Sequence, residues 1–419
     1  MTTETIVKAF KFRLRPNRSQ RRMLAACLSD HCDLYNAALE ERRTAWSASR
    51  VPVRYTQQSA QLKAIRHDDS GGQGRWSFSS QQATLRRLNR AFEAFFRRIR
   101  GGQEPGYPRF RSRHRFDSVT WPKDGDGCKW IDGDSASDGI SRVRLQGVGT
   151  VRVHRHRSIE GIVKTITVKR EGPKWFLVLA CETDAPGEQP KTGRATGIDM
   201  GVTHFATTAD GEHIANIAPL KTNEGRLARA QRDLARYPKN RKREDRSTRH
   251  WQAARKVAKL HRKIAAQRRD YAHKTANALI ERFDVIAVEK LNITGMTKAP
   301  APRPDPERPG VWLPNGANAK AGLNKRILDA AWGQFIDILT VKAAWAGREV
   351  IAVDPRNTSR TCTECGHCDP DNRDREDFHC TACGYNDHAD RVGAVNIASR
   401  AGLVLDGDGR PSTSEAPQL

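Results

Sequence analysis

The chain has 419 residues, enough for two or three domains each with its own core, and carries 73 Lys and Arg against 48 Asp and Glu, a formal charge of +25 with a pI near 10.1. Such an excess asks for a polyanionic partner, with nucleic acid ahead of a membrane surface. No run of about 18 apolar residues spans a bilayer, and no secretory leader core opens the chain. Nine cysteines, four of them in zinc-type pairs, fit a reducing interior rather than a disulfide framework. No membrane partner is therefore expected, and the location expected is cytoplasmic.

Taken in order, residues 9–15 alternate: Phe10, Phe12 and Leu14 on one face, Lys11, Arg13 and Arg15 on the other, a strand with one packed and one basic face. Pro16 ends it. Asn17 with Gln20 predicts a capping box, followed by a helix through Leu24, Leu28, Tyr35 and Leu39. A shorter helix is predicted over 56–66. A third starts near Ser79 and places Leu85, Leu88, Phe92, Phe95, Phe96 and Ile99 on one face, which we read as bundle core rather than a stacking surface for bases. Strand patterns return at Val143 and Leu145, at Val151 and Val153, and over 162–169 and 175–181. Arg142 and Arg144 alternate with the apolar positions, and repeated arginine on a strand face favours phosphate contact over a merely solvated surface. Together these strands predict a β-barrel interrupted by a helical insertion.

After a Pro- and Gly-containing linker over 184–194, Ala195-Thr-Gly-Ile-Asp199 reads as an apolar strand carrying a carboxylate, which burial makes costly without a cation. Return strands are predicted over 204–208 and 211–217. From Lys221 to Arg269 there are 18 Lys and Arg against 4 Asp and Glu, including Arg241, Lys242 and Arg243. An imbalance of that size points to a nucleic-acid backbone. Asp284 to Glu289 is a second buried strand ending on an acid, six prolines between Pro300 and Pro314 predict a flexible loop, residues 321–346 predict one helix burying Leu323, Ile327, Leu328, Phe335 and Leu339, and 349–353 predict a strand.

Two Cys-x-x-Cys pairs follow, Cys362/Cys365 and Cys380/Cys383, each trailed by a glycine. This is the spacing of a four-thiolate zinc ribbon, with Cys368 as the spare. Asp390 then opens the last helix, and a Gly-, Pro- and Ser-rich tail beyond Ala401 is expected to be disordered. Three strands, a helix, a strand, a helix, a strand and a helix make the ribonuclease H order. Asp199, Glu289 and Asp390 would then meet at one sheet edge. Three carboxylates share a site when divalent cations neutralise them, and oxygen ligands suit Mg2+ or Mn2+, the ions of two-metal phosphodiester hydrolysis.

The segments TGIDMGV, VIAVEKLNITGM and TSRTCTECG…FHCTACGYNDHADRVGAVNI, in this order, resemble the TnpB nucleases of bacterial insertion sequences, relatives of the compact type V CRISPR effectors. The similarity extends to AFKFRLRPNRSQ, YNAALEERR, PGYPRFRSR and AKAGLNKRILDAAWGQF, so it spans most of the chain. The resemblance implies a multidomain α+β protein: a wedge β-barrel (1–16 and 101–190) with a helical recognition insertion (17–100), then a RuvC, ribonuclease H-like nuclease (191–357 and 387–400) holding a zinc ribbon (358–386), and a tail (401–419). It also implies an RNA-guided DNA endonuclease, with a guide RNA from the transposon end and a double-stranded DNA target read beside a short adjacent motif. Its catalytic, Mg2+-binding positions would be Asp199, Glu289 and Asp390, and its setting the bacterial nucleoid, as monomer or dimer. A nuclease-inactive RNA-guided repressor and a DNA transposase are the competing readings. Loss of an acid would mark the first, and none is lost.

Overall fold

The alternation that opens the chain becomes β1 (Thr5–Arg15), with Phe10, Phe12 and Leu14 buried and the basic residues between them not. The structure, a computed structural model, describes residues 5–185, 187–238 and 245–406. By its contacts the chain divides into Met1–Ala185 and Pro186–Leu419.

In the first unit β1 is followed by α1 (Arg18–Ser49), α2 (Tyr55–Asp68) and α3 (Phe78–Arg100). The Asn17–Gln20 capping box is present, each side chain bonded to the other's backbone N–H at 2.8 and 3.0 Å. Six strands follow: β2 (Ser118–Trp121), β3 (Cys128–Ile131), β4 (Arg142–Leu145), β5 (Gly149–His154), β6 (Ile162–Glu171) and β7 (Lys174–Asp184). They form one sheet in the order β2-β6-β7-β1-β5-β4-β3. The first strand thus lies mid-sheet, antiparallel to β7 and β5. The outermost strands β2 and β3 do not pair with each other, so the sheet is a half-barrel and not the closed barrel expected. Helices supply the missing cover: Leu24, Leu28, Tyr35, Leu85 and Leu88 share one core with Phe12, Trp121 and Leu177. Beyond Leu88 that cover thins. Phe92 still packs against this core and meets Tyr107 edge-on, as does Phe95, while Phe96 and Ile99, expected in the core, are about half exposed.

The second unit begins with the strands β8 (Ala195–Asp199), β9 (His204–Thr208) and β10 (His213–Ala215) and the helices α4 (Pro219–Ala235) and α5 (Thr248–Arg282). Next come β11 (Val285–Glu289), the one-turn α6 (Ile293–Met296), a two-residue pairing of β12 (Arg303–Pro304) with β13 (Trp312–Leu313) inside the proline-rich segment, α7 (Ala317–Ala330), α8 (Trp332–Trp345) and β14 (Glu349–Val353). The small sheet β15 (Arg373–Asp374), β16 (Asp377–His379) and β17 (Asn386–His388) leads into α9 (Ala389–Arg400). The single helix expected over 321–346 is two. Ala331 takes a left-handed conformation (φ 57°) that caps α7 and restarts the chain as α8. The break leaves Leu323 and Leu328 on solvent while Ile327, Phe335 and Leu339 stay buried.

The main sheet has the order β10-β9-β8-β11-β14, an antiparallel meander whose first strand β8 pairs in parallel with β11, which in turn pairs in parallel with β14. Side-chain alternation divides its two faces. Ile198, Ile286 and Val288 face a core with Ala276, Leu279 and Phe283 around the end of α5 and with Phe335 and Leu339 of α8. The intervening positions turn the other way, where Ala287 meets Ile397 of α9. There the backbones touch: a Cβ built on Gly197 would stand 2.0 Å from the Ala394 carbonyl oxygen and 2.6 Å from the Ala398 nitrogen. Only glycine fits. Gly197→Ala is expected to destabilise the protein by about 3 kcal/mol or more, since neither obstructing atom is a movable side chain. A thermal or urea melt matching the wild type would show that the helix stands off the strand.

Candidate active site

Asp199 and Glu289 share the parity of Gly197 and Ala287, so alternation puts both carboxylates on the α9 side, at the C-terminal ends of adjacent parallel strands. Asp390 lies in the first turn of α9, its backbone N–H bonded to the Nδ1 of the N-cap residue His388 at 3.2 Å. Glu289 and Asp390 are each only 8% exposed. Burial, then Glu289, then Asp390 push the Asp199 carboxyl up to about 7. Burial raises Glu289 as well.

Two neighbours hold the acids. The Thr358 hydroxyl donates to Glu289 Oε1 at 2.8 Å. Arg373, at the start of β15, donates to Asp390 Oδ1 at 3.2 Å, leaving Asp390 Oδ2 3.8 Å from His204 Nδ1. Thr358 is placed by α9 itself: Asn396 Nδ2 donates to the carbonyls of Thr358 and Thr361, both at 2.7 Å. The carboxylates are a hard oxygen donor set whose mutual repulsion a divalent cation would relieve. They flank a space and do not close a cage. Among the described residues, only the four thiols 362, 365, 380 and 383 and three imidazoles come within 4.8 Å of one another as complete sets.

The thiols fit zinc closely. Cys362 Sγ lies 3.7 Å from Cys383 Sγ, and Cys365 Sγ 3.5 Å from Cys380 Sγ. Zn–S bonds of about 2.3 Å at tetrahedral angles separate sulfurs by about 3.8 Å. The two knuckles repeat one pattern: Gly366 N–H to Cys362 O and Gly384 N–H to Cys380 O, both glycines at φ 75°. Cys368 bridges Thr361 as backbone and stays outside the cluster.

Of the basic residues singled out in the sequence, Arg13, Arg15, Arg142 and Arg144 take outward positions on β1 and β4, the strands that flank β5, whose Arg152 stands opposite both Arg15 and Arg142. Lys11 is bonded to Glu171 at 2.5 Å and lies over the Phe176 ring, and Arg142 is paired with Asp138, so both are engaged within the chain. Arg13 is half-buried, while Arg15 and Arg144 are exposed. Arg241, Lys242 and Arg243 lie outside the described residues. Exposed cations do line α5, with Arg255, Lys259 and Lys263 one turn apart. Thr358, Arg373 and the histidines escaped the sequence reading. Only His388, two residues before Asp390, carried a positional hint.

Residues 178–299 match a family profile described as probable transposase (OrfB_IS605), residues 332–397 the Cas12f1-like TNB domain, and residues 1–50 a helix-turn-helix domain. A relative in Escherichia coli K12, named as a candidate RNA-guided DNA endonuclease InsQ, is 31% identical over 430 residues, covering 99% of this chain and 98% of its own. The chain belongs to the TnpB family. A second TnpB-family relative, from Streptomyces pristinaespiralis and named likewise, is 30% identical over 87% of this chain and 81% of its own. In fold this TnpB chain is similar to the protein in a Cas12f1–sgRNA–target DNA complex, with TM-score 0.56 at 13% identity over 94% of this chain and 99% of that one. Despite the profile's name, the described part of residues 1–50 is one strand and one long helix.

The raised Asp199 carboxyl has a consequence for stability. Its extra stabilisation is complete below the ordinary carboxylate value of 3.8 and is lost as pH rises through about 7. In magnesium-free buffer, melting temperature should fall between about pH 4 and pH 7, and Asp199→Asn should remove much of that fall. Parallel pH profiles for the two proteins would show that Asp199 ionises without strain.

Proposed function

We propose that the chain is an RNA-guided DNA endonuclease that hydrolyses target DNA at a ribonuclease H-like, RuvC-type site made by Asp199, Glu289 and Asp390. The observation that carries this is the placement of the three acids on one face, at one edge of a sheet in the order β10-β9-β8-β11-β14. The names of the full-length relatives support the guided, DNA-directed character of the activity. Mg2+ or Mn2+ bound by these carboxylates would supply an activated water and a stabilised leaving oxygen. The residues themselves prepare the seat. Thr358 fixes one oxygen of Glu289, Arg373 fixes one oxygen of Asp390, and Asp199, with its carboxyl pushed up to about 7, gives up a proton when a cation arrives. Zn2+ held by Cys362, Cys365, Cys380 and Cys383 would be structural, stiffening the ribbon that presents Arg373. The partners are a guide RNA from the transposon end and double-stranded DNA with a short adjacent motif. The compact units Met1–Ala185 and Pro186–Leu419 would correspond to wedge-plus-recognition and nuclease-plus-ribbon segments.

The decisive experiment sequences the RNA that copurifies with the protein and then offers a plasmid target matching it, with magnesium present. Wild-type protein should cut. Asp199→Ala, Glu289→Ala and Asp390→Ala should each keep binding but lose at least about three orders of magnitude in rate, roughly 4 kcal/mol in the barrier, and double mutants should be no worse. Wild-type-like cutting by the Asp199 variant places the active site elsewhere, and tight guided binding without cutting by the wild type identifies a repressor.

Exposed cations on α5 would meet nucleic-acid backbone. Replacing Arg255, Lys259 and Lys263 together by Ala should lower the slope of log affinity against log salt by about 2 to 3. An unchanged slope returns that face to plain solvation.

A further inference from the structure

Beside Asp390 stand three imidazoles that the nuclease reading does not use as a set. His204 opens β9, His213 opens β10, and His388 closes β17 just before α9. One ring nitrogen from each lies within 4.8 Å of the others. The His204 and His213 rings are stacked with centroids 4.1 Å apart, and His213 meets His388 edge-on at 4.7 Å.

Aromatic packing alone would account for the stack, but it does not account for the nitrogens. His204 Nδ1 is buried without a hydrogen-bond partner among the described residues, and it stands 3.8 Å from Asp390 Oδ2. An orphaned ring nitrogen costs about 1 to 3 kcal/mol. His213 Nδ1 lies 3.0 Å from the Thr207 hydroxyl. In His213 the Thr207 hydroxyl sits on the Nδ1 side and leaves Nε2 available, the arrangement of metal-bound histidines whose second nitrogen is oriented by a hydroxyl, while the unpartnered Nδ1 of His204 is itself open to a metal.

The geometry points to a second transition-metal site, made by His204, His213 and His388 and suited to a borderline divalent ion such as Zn2+. Imidazole nitrogens select such ions, whereas the neighbouring carboxylates suit Mg2+ and Mn2+. Zn–N bonds of about 2 Å put tetrahedral nitrogens about 3.3 Å apart, so closing the present cluster takes ring movements of about 1 Å. Water completes the fourth position. His388 now accepts the Asp390 backbone N–H on Nδ1, so ligation through its Nε2 requires the other tautomer and releases that amide. Together with the approach of His204 to the Asp390 carboxylate, this ties the ion to a residue of the nuclease seat. Metal binding itself stands independently of the nuclease reading; only its effect on cleavage rests on that reading.

The test loads purified full-length protein with excess Zn2+, removes unbound ion and counts zinc per chain by mass spectrometry. Wild type should hold about two ions, one on the thiolates and one on the imidazoles, and His213→Ala or His204→Asn about one. Titration with Co2+ distinguishes the two sites. The thiolate site gives sulfur charge-transfer absorption, and the second equivalent should add ligand-field bands without it, bands that either variant loses. A tenfold molar excess of Mg2+ over Zn2+ should leave the count unchanged. One zinc in the wild type, or a second zinc retained by both variants, overturns the site. In the cleavage assay Zn2+ should inhibit wild type at least tenfold more strongly than His213→Ala. Two zinc ions in a protein that never cuts DNA would leave this site standing and remove the nuclease reading. Cutting by a protein that holds one zinc would do the reverse.

Discussion

The contact between α9 and β8 is the constraint from which the second unit's site follows. Because Gly197 lets the Ala394 carbonyl approach the strand directly, the helix lies low enough for its first turn to bring Asp390 over Asp199. Gly393 repeats the device one level up: a Cβ there would press on the Asp199 carboxyl at 3.3 Å. The same helix reaches backwards through Asn396 to the segment that carries Thr358, and Thr358 holds Glu289. One small-residue helix therefore contributes one acid and fixes the surroundings of the other two.

Electrostatics explains why such close packing is tolerated beside buried acids. A carboxylate taken from water without a cation neutralises itself, and Asp199 does so through its raised proton affinity. Arg373 compensates Asp390 in part, and the Thr358 hydroxyl offsets only part of the burial that raises Glu289. Within one compact unit three donor chemistries lie near one another without mixing: thiolates in the ribbon, imidazoles at the ends of β9, β10 and β17, and carboxylates at the sheet edge. Ligand hardness, rather than distance, is what would sort ions among them.

Much of this was legible in the sequence because it is periodic or fixed in spacing. Alternation located β1, β4, β5, β6 and β7, and knuckle spacing located the four thiols. What escaped depends on tertiary context. The strands β2 and β3 are four residues each and, unlike the equally short β4, whose alternation resumes after a tight turn in β5, stand apart from any strand that the period marks. At the break itself stands an alanine, Ala331, in a left-handed conformation that usually marks a glycine or asparagine; Gly333 comes only two residues later, inside α8. The aromatic face of α3 is uniform in sequence but outruns the sheet that covers its first half. Lys11 and Arg142 also pair within the chain, with Glu171 and Asp138, partners that the alternation of their strands does not show. His204 and His213 are separated from His388 by more than 170 residues; the pairing of β9 with β10 joins the first two, and the packing of α9 on that sheet brings its N-cap His388 to them.

The stretch between the two knuckles, residues 366–379, resembles a spacer, and its length alone would invite splicing in a reporter or an affinity peptide. Its interior forbids that. Asn372 is fully buried, donates to the carbonyls of Arg360 and His367 beside the first knuckle, and accepts the Thr381 N–H within the second. The next residue, Arg373, is the one that grips Asp390. The stretch is a cross-brace with a finger on the carboxylate cluster. For anyone building a fusion, a cargo placed here would uncouple the two knuckles and withdraw that finger in the same stroke.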